Sequence, residues 1–110
     1  MIRPQRFAAN PETALSNHYQ QRLDVSAVEL QQRCEEEFDQ LVHALQIAGA
    51  DVIVRHSQQP EACDAHFPNN WISFPVSGSM ALYSMLSPLR RLEREASLIE
   101  DLKSSFSIRQ

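Results

Sequence analysis

Residues 26–56 read SAVELQQRCEEEFDQLVHALQIAGADVIVRH: a helix pattern, a glycine and an apolar run in direct succession. Ser26, followed three residues later by Glu29, forms a capping-box pattern. In such a box the hydroxyl accepts from the N3 amide while the carboxylate reaches back to the first turn. Cys34, Phe38, Leu41, Val42, Leu45 and Ala48 then recur at helical spacing on one apolar stripe, with Glu35, Glu36, Asp39 and Gln40 opposite. This pattern puts Cys34 in the core. Gly49 stands where a left-handed residue ends a helix. Val52, Ile53 and Val54 inside Ala50 to His56 predict a buried strand. Helix, tight turn and apolar strand together imply an α/β packing unit.

Upstream of this unit, Ile2 to Pro4 fits a short strand. The rest of residues 1–24 reads as loop, with turn signals at Asn10-Pro11 and Ser16-Asn17 and with His18 inside it. Downstream, Ser57 to Ala62 is polar loop and Phe67 to Phe74 predicts a strand carrying Trp71 and Phe74. Ser77-Gly78-Ser79 marks a hairpin turn into a third strand, Met80 to Leu86. Ser87-Pro88 resembles an N-cap with proline at the first helical position. Leu92, Ala96, Ile99 and Leu102 extend that helix to about Ser104, and Phe106 to Ile108 opens a further strand. No linker interrupts the pattern, so residues 1–110 read as a single α/β domain. A strand that has only just begun at the last residues points to truncation.

Composition narrows the function classes. The 110 residues are 43% apolar and 22% charged, the balance of an ordinary globular protein. Net charge is −4 with the two signs interspersed, so no basic stripe offers itself to a nucleic-acid backbone. No apolar run approaches the roughly 18 residues that a membrane span needs. Met1-Ile2-Arg3-Pro4 leads into no signal-peptide core, which points to a cytoplasmic setting. Cys34 and Cys63 match no zinc or redox spacing and read as reduced thiols. The four histidines are scattered and form no metal motif.

The densest polar constellation is Asp64-Ala65-His66-Phe67-Pro68-Asn69-Asn70-Trp71. It lies at the start of a predicted strand, where site residues often sit. In an extended chain Asp64 and His66 share a face. A carboxylate there accepts the planar paired donors of a guanidinium or ureido group, and Asn69 and Asn70 add neutral contacts. The same asparagines also fit plain turn chemistry. Arg90 and Arg91, with Arg94, form either an anion site near a helix start or a solvated helix face paired with Glu93 and Glu95. Cys63 and His66 invite a nucleophile–base reading, but three-residue spacing in a strand sets them on opposite faces. Cys63 reads instead as an inert thiol.

These residues, taken in order, resemble a known family. Met1-Ile2-Arg3-Pro4, Phe7, Asn10, Glu12-Thr13-Ala14, Asn17 and Tyr19-Gln20 are similar to the opening signature of the citrulline-hydrolase-like, arginine-deiminase-related family. Glu37-Phe38-Asp39, Leu45 and Ala48-Gly49 are similar to its first helix. Asp64-Ala65, Phe67-Pro68-Asn69-Asn70-Trp71 and Ser73 resemble its most diagnostic motif. Tyr83, Met85, Arg90-Arg91, Glu93-Arg94 and Ile99 resemble the segment that follows.

The resemblance implies a pentein α/β-propeller, of which this chain would hold about one and a half of five ββαβ-type units. It implies chemistry by a Cys nucleophile and a His acid–base, both expected beyond residue 110, with no metal or organic cofactor. The partner would be a small guanidino or ureido amino acid. Asp64 would grip substrate nitrogens, and Asn69 and Asn70 would stand where related enzymes are acidic, which favours a neutral ureido substrate such as citrulline. Arg90 or Arg91 would hold the substrate carboxylate. The chain alone would then be inactive and would self-associate through exposed strand edges. The alternatives are a stand-alone binding or assembly module of the same origin and a small thiol enzyme using Cys63.

Overall fold

A computed structural model describes residues 1–13, 25–106 and 108. The expected loop and turn at residues 14–24, and the resemblance carried by Ala14, Asn17, Tyr19 and Gln20, lie outside the described residues. The strand expected from Phe106 also lies partly outside them.

Ser26 caps the long helix α1 (Ala27–Ile47) by accepting from the Glu29 amide at 3.1 Å, while the Glu29 carboxylate is engaged by Arg33. At the other end, Gly49 takes φ +90°. Its amide donates to Gln46 O and the Ala50 amide donates to Leu45 O, both at 3.0 Å. This pair of bonds is a Schellman closure, and it needs the glycine.

The strand β1 (Ile2–Arg3) pairs in parallel with β2 (Arg55–His56), Ile2 opposite Arg55 and Arg3 opposite His56. A parallel pair requires a long crossover, and α1 lies in that connection. The expected strand over Ala50–His56 pairs only at its last two residues, because β1 is itself only two residues long. The Met1 amino group still reaches back to Ile53 O at 2.6 Å.

Helix α1 buries no residue completely. Cys34, Phe38, Val42 and Leu45 are half-buried, whereas Leu41 is 51% exposed, so the expected core position of Cys34 is corrected to a half-buried one. A two-strand sheet is too narrow to cover the whole stripe. The helix is moored mainly by polar contacts: Arg3 pairs with Asp39 and lies 5.9 Å from the Phe38 ring centre, and Gln31 bonds Pro4 O and the Phe7 amide.

Residues 62–71 fold as consecutive turns rather than as the start of a strand. Ala65 N donates to Ala62 O, Phe67 N to Asp64 O, Asn70 N to Phe67 O and Trp71 N to Pro68 O, all at 3.0–3.1 Å. The middle of this run is a 3-10 helix, Pro68–Asn70. Pro68 favours it, since proline lacks the amide that the first turn leaves unpaired and has its φ already set. The strand predicted over Phe67–Phe74 shortens to β3 (Ile72–Ser73). It pairs antiparallel with β4 (Ala81–Leu82), the paired part of the strand expected over Met80–Leu86. Gly78, at φ +79°, closes the intervening turn by donating to Pro75 O.

The second long helix is broken. Ser87 caps α2 (Pro88–Arg91), with Pro88 in the first turn as expected, and α3 (Ala96–Ser105) starts anew after Glu95. The break follows from Glu93 and Glu95, whose side chains are drawn into buried hydrogen bonds instead of lying on a solvated face.

The small core joins Ile2, Ala62 and Ala65 with Leu98 of α3, and Trp71 is 1% exposed. Beside it lies an open apolar cavity of about 680 Å³, lined among others by Leu45, Ile53, Trp71, Phe74, Leu102 and Ile108. No helix among the described residues is long and apolar enough to cross a membrane.

Candidate substrate-contacting site

The turns at residues 62–71 lift Asp64 into a half-buried position, its side chain 23% exposed. Its Oδ2 accepts a 2.8 Å bond from Asn10 Nδ2 and lies 3.7 Å from Arg90 Nε. Asn10 is buried, and its Oδ1 accepts from the Glu12 amide at 3.0 Å, an Asx turn that realises the Asn10-Pro11 signal. Glu12 then crosses to α2, where its carboxylate accepts from the Ser87 hydroxyl and, at 3.1 Å, from the Leu89 amide. Residues 10–12 thus tie Asp64 to the helix that carries Arg90.

Arg90 and Arg91 part company, as neighbours 100° apart on a helix must. Arg90 presents Nε and Nη2 to both oxygens of Glu93, at 2.8 and 3.2 Å. The Glu93 side chain is 1% exposed. Burial pushes its carboxyl above the ordinary range, and the two Arg90 bonds pull back against this. Arg91 instead donates to Met85 O at 2.9 Å and Leu86 O at 3.2 Å. Arg94 is exposed, so the three arginines do not converge on one anion site.

Asn69 and Asn70 sit in the 3-10 helix with exposed side chains that make no hydrogen bond among the described residues. Asn69 borders the apolar cavity. The same-face argument for Asp64 and His66 fails, because that stretch is turned and not extended. His66 is packed instead between Phe67 (ring centres 4.0 Å apart) and Phe7 (5.3 Å), with Nε2 buried and without a hydrogen-bond partner among the described residues. Burial lowers its pKa, and Arg90 adds to this against the opposing pull of Asp64. Cys63 is buried, and burial followed by the Asp64 charge pushes its thiol up. A thiol held protonated in this way is a poor nucleophile. Among the described residues, no three His, Cys, Asp or Glu side chains gather closely enough to hold a metal ion.

Sequence reasoning missed Asn10 and Glu12 as parts of this network; it paired the arginines with Glu93, but on a solvated face, whereas the structure buries that glutamate. Asn10-Pro11 signalled a turn, but nothing local signalled that the turn amide reaches residue 64.

A carboxylate held half-open beside an arginine that is already satisfied suits the multiple N–H donors of a guanidino-type group. In agreement, the chain falls among the guanidino-group-modifying enzymes of the pentein superfamily. The family model described as N,N dimethylarginine dimethylhydrolase, eukaryotic, matches residues 3–110, and the chain belongs to that family. No match was found among the curated proteins or among the solved structures.

Proposed function

We propose that this chain forms the first substrate-gripping segment of a guanidino- or ureido-group hydrolase of the arginine-deiminase-related kind, folded as part of an α/β-propeller, and that it does not turn over substrate alone. The observation that carries the reading is Asp64. One of its oxygens is steadied by Asn10, its arginine neighbour is occupied by Glu93, and nearly a quarter of its side chain remains open to a ligand. The neutral Asn69 and Asn70 favour a ureido amino acid such as citrulline over a fully cationic one. Arg90 is neutralised by Glu93, which leaves Arg91 as the more available cation for a substrate carboxylate once its two carbonyl contacts exchange. Cys63 and His66 do not offer a catalytic pair: burial pushes the Cys63 thiol up and the ring-packed His66 imidazole down, which disfavours a thiolate and an imidazolium. The reading includes a cytoplasmic setting, which the two free cysteines suit.

Isothermal titration with L-citrulline and L-arginine tests binding, and a citrulline and ammonia release assay tests turnover. Saturable binding without turnover is the expected result. Turnover by the 110-residue chain contradicts the inactive reading, and absence of binding contradicts the role of Asp64.

A second reading, an assembly module that pairs with its own copies, draws on the open apolar cavity and on the exposed Phe74, Val76, Leu86 and Phe106. Sedimentation that is concentration-independent and monomeric removes it.

A further inference from the structure

We infer that Asn10 is a positioning residue that fixes the Asp64 carboxylate and sets the preference of that site between neutral and cationic ligands. The inference rests on the ligand-gripping role proposed for Asp64.

Asn10 is one of the two largest fully buried side chains, together with Trp71. A buried amide needs partners for its donor and acceptor groups, and here they are divided with purpose. Nδ2 donates to Asp64 Oδ2, Oδ1 accepts from the Glu12 amide, and the main-chain carbonyl accepts from the Thr13 amide at 3.3 Å. The amide therefore cannot turn over without breaking both side-chain bonds. Its orientation is locked, and so is the edge of Asp64 that faces it.

Glu12 extends the lock to α2 through Ser87 and Leu89. One short loop thereby sets Asp64 relative to Arg90, whose Nε is 3.7 Å from the same Oδ2. The carboxylate keeps Oδ1 free of any protein hydrogen bond among the described residues.

Among the side chains of this network Glu12, Asp64 and Glu93 are acidic, Arg90 is basic, and Asn10 carries no charge. An acidic residue at position 10 adds a negative charge beside Asp64 and raises the attraction for a guanidinium without helping a ureido group. Asn10→Asp is also the smallest change available. It keeps an oxygen for the Glu12 amide, removes the donor to Asp64 and places the added charge against that carboxylate.

The test compares the unmodified chain with Asn10→Asp at about pH 8, since two adjacent carboxylates share a proton at lower pH. L-arginine and L-citrulline affinities are measured by titration calorimetry, with thermal unfolding as a control. The expected result is a shift of about tenfold in the affinity ratio toward arginine. A purely structural role scales both affinities together, so an unchanged ratio overturns the assignment. Where Asn10→Asp does not fold, the side-chain amide signals of Asn10 in the unmodified chain decide the question by NMR. They are expected to move on citrulline addition with the same saturation curve as the Asp64 amide. Stationary Asn10 signals alongside a moving Asp64 amide overturn the assignment of Asn10 alone. Failure of the unmodified chain to bind either amino acid overturns the Asp64 reading, and the Asn10 role with it.

Discussion

Asn10 and Asp64, 54 residues apart in sequence, meet at 2.8 Å with the amide donating to the carboxylate. The contact joins the N-terminal loop to the turn that carries the densest polar motif of the chain. It is the long-range bond on which the candidate site is built. Asn10→Ala leaves the Glu12 amide without its acceptor and Asp64 without its donor. The expected cost is about 1–3 kcal/mol in urea unfolding.

The Arg90–Glu93 pair is the most deeply placed ion pair of the site, with side chains 18% and 1% exposed. Removing one member of such a pair strands the other charge in poorly solvated surroundings. Glu93→Ala is expected to destabilise the chain by about 3 kcal/mol. Glu100→Ala removes the partner of Lys103 in an exposed pair and is expected to stay within about 0.5 kcal/mol. Parallel denaturation curves for the two variants check the contrast.

His66 makes stability depend on pH in a definite direction. Its folded pKa lies below the ordinary 6.5, so the unfolded chain takes up a proton first as pH falls. Its contribution is therefore complete above 6.5 and is lost as pH drops through the folded value. Glu93 acts in the opposite sense: its pKa is raised from 4.5, so its contribution is lost as pH rises through the folded value. Substituting His66→Phe keeps the ring contacts with Phe7 and Phe67 and removes the buried Nε2. The variant is expected to be at least as stable as the parent and to lose part of the decline below pH 6.5. Thermal melts of both proteins across that range measure it.

Gly49 meets no heavy atom within 4 Å at the place of an added Cβ, yet its φ is +90°. Space is therefore not the constraint; backbone conformation is. Gly49→Ala is expected to cost about 1 kcal/mol, read as a lowered unfolding midpoint.

The helix ends were legible because each is written in a few adjacent residues. Ser26 stands one residue before α1 and Gly49 two residues after it, and Ser87-Pro88 opens α2. Strand lengths were not legible, because they depend on partners far along the chain. Val52 and Ile53 look like strand interior, but β1 offers only Ile2 and Arg3 to pair with. The break after Leu92 had the same cause. Glu95 left the helix face to accept from the Ser57 hydroxyl and the Gln58 amide, and no periodicity within residues 88–105 records that. The site was half legible. Asp64 and Arg90 were named as candidates and lie 3.7 Å apart, whereas Asn69, Asn70 and Arg91 do not join their hydrogen-bond network. Asn10 was hidden because a turn asparagine looks ordinary until the fold buries it, and Glu93, read as a solvated partner of the arginines, gave no local sign that it would be buried.

The central claim is that the Asp64 carboxylate receives a guanidino or ureido group. The most direct measurement is the binding of L-citrulline and L-arginine to the unmodified chain and to Asp64→Asn, followed by NMR of the residue 64 amide. The account predicts saturable shifts in the unmodified chain and a loss of affinity of about tenfold or more in Asp64→Asn, with the fold retained. Equal binding by the two proteins, or no binding by the unmodified chain, contradicts it.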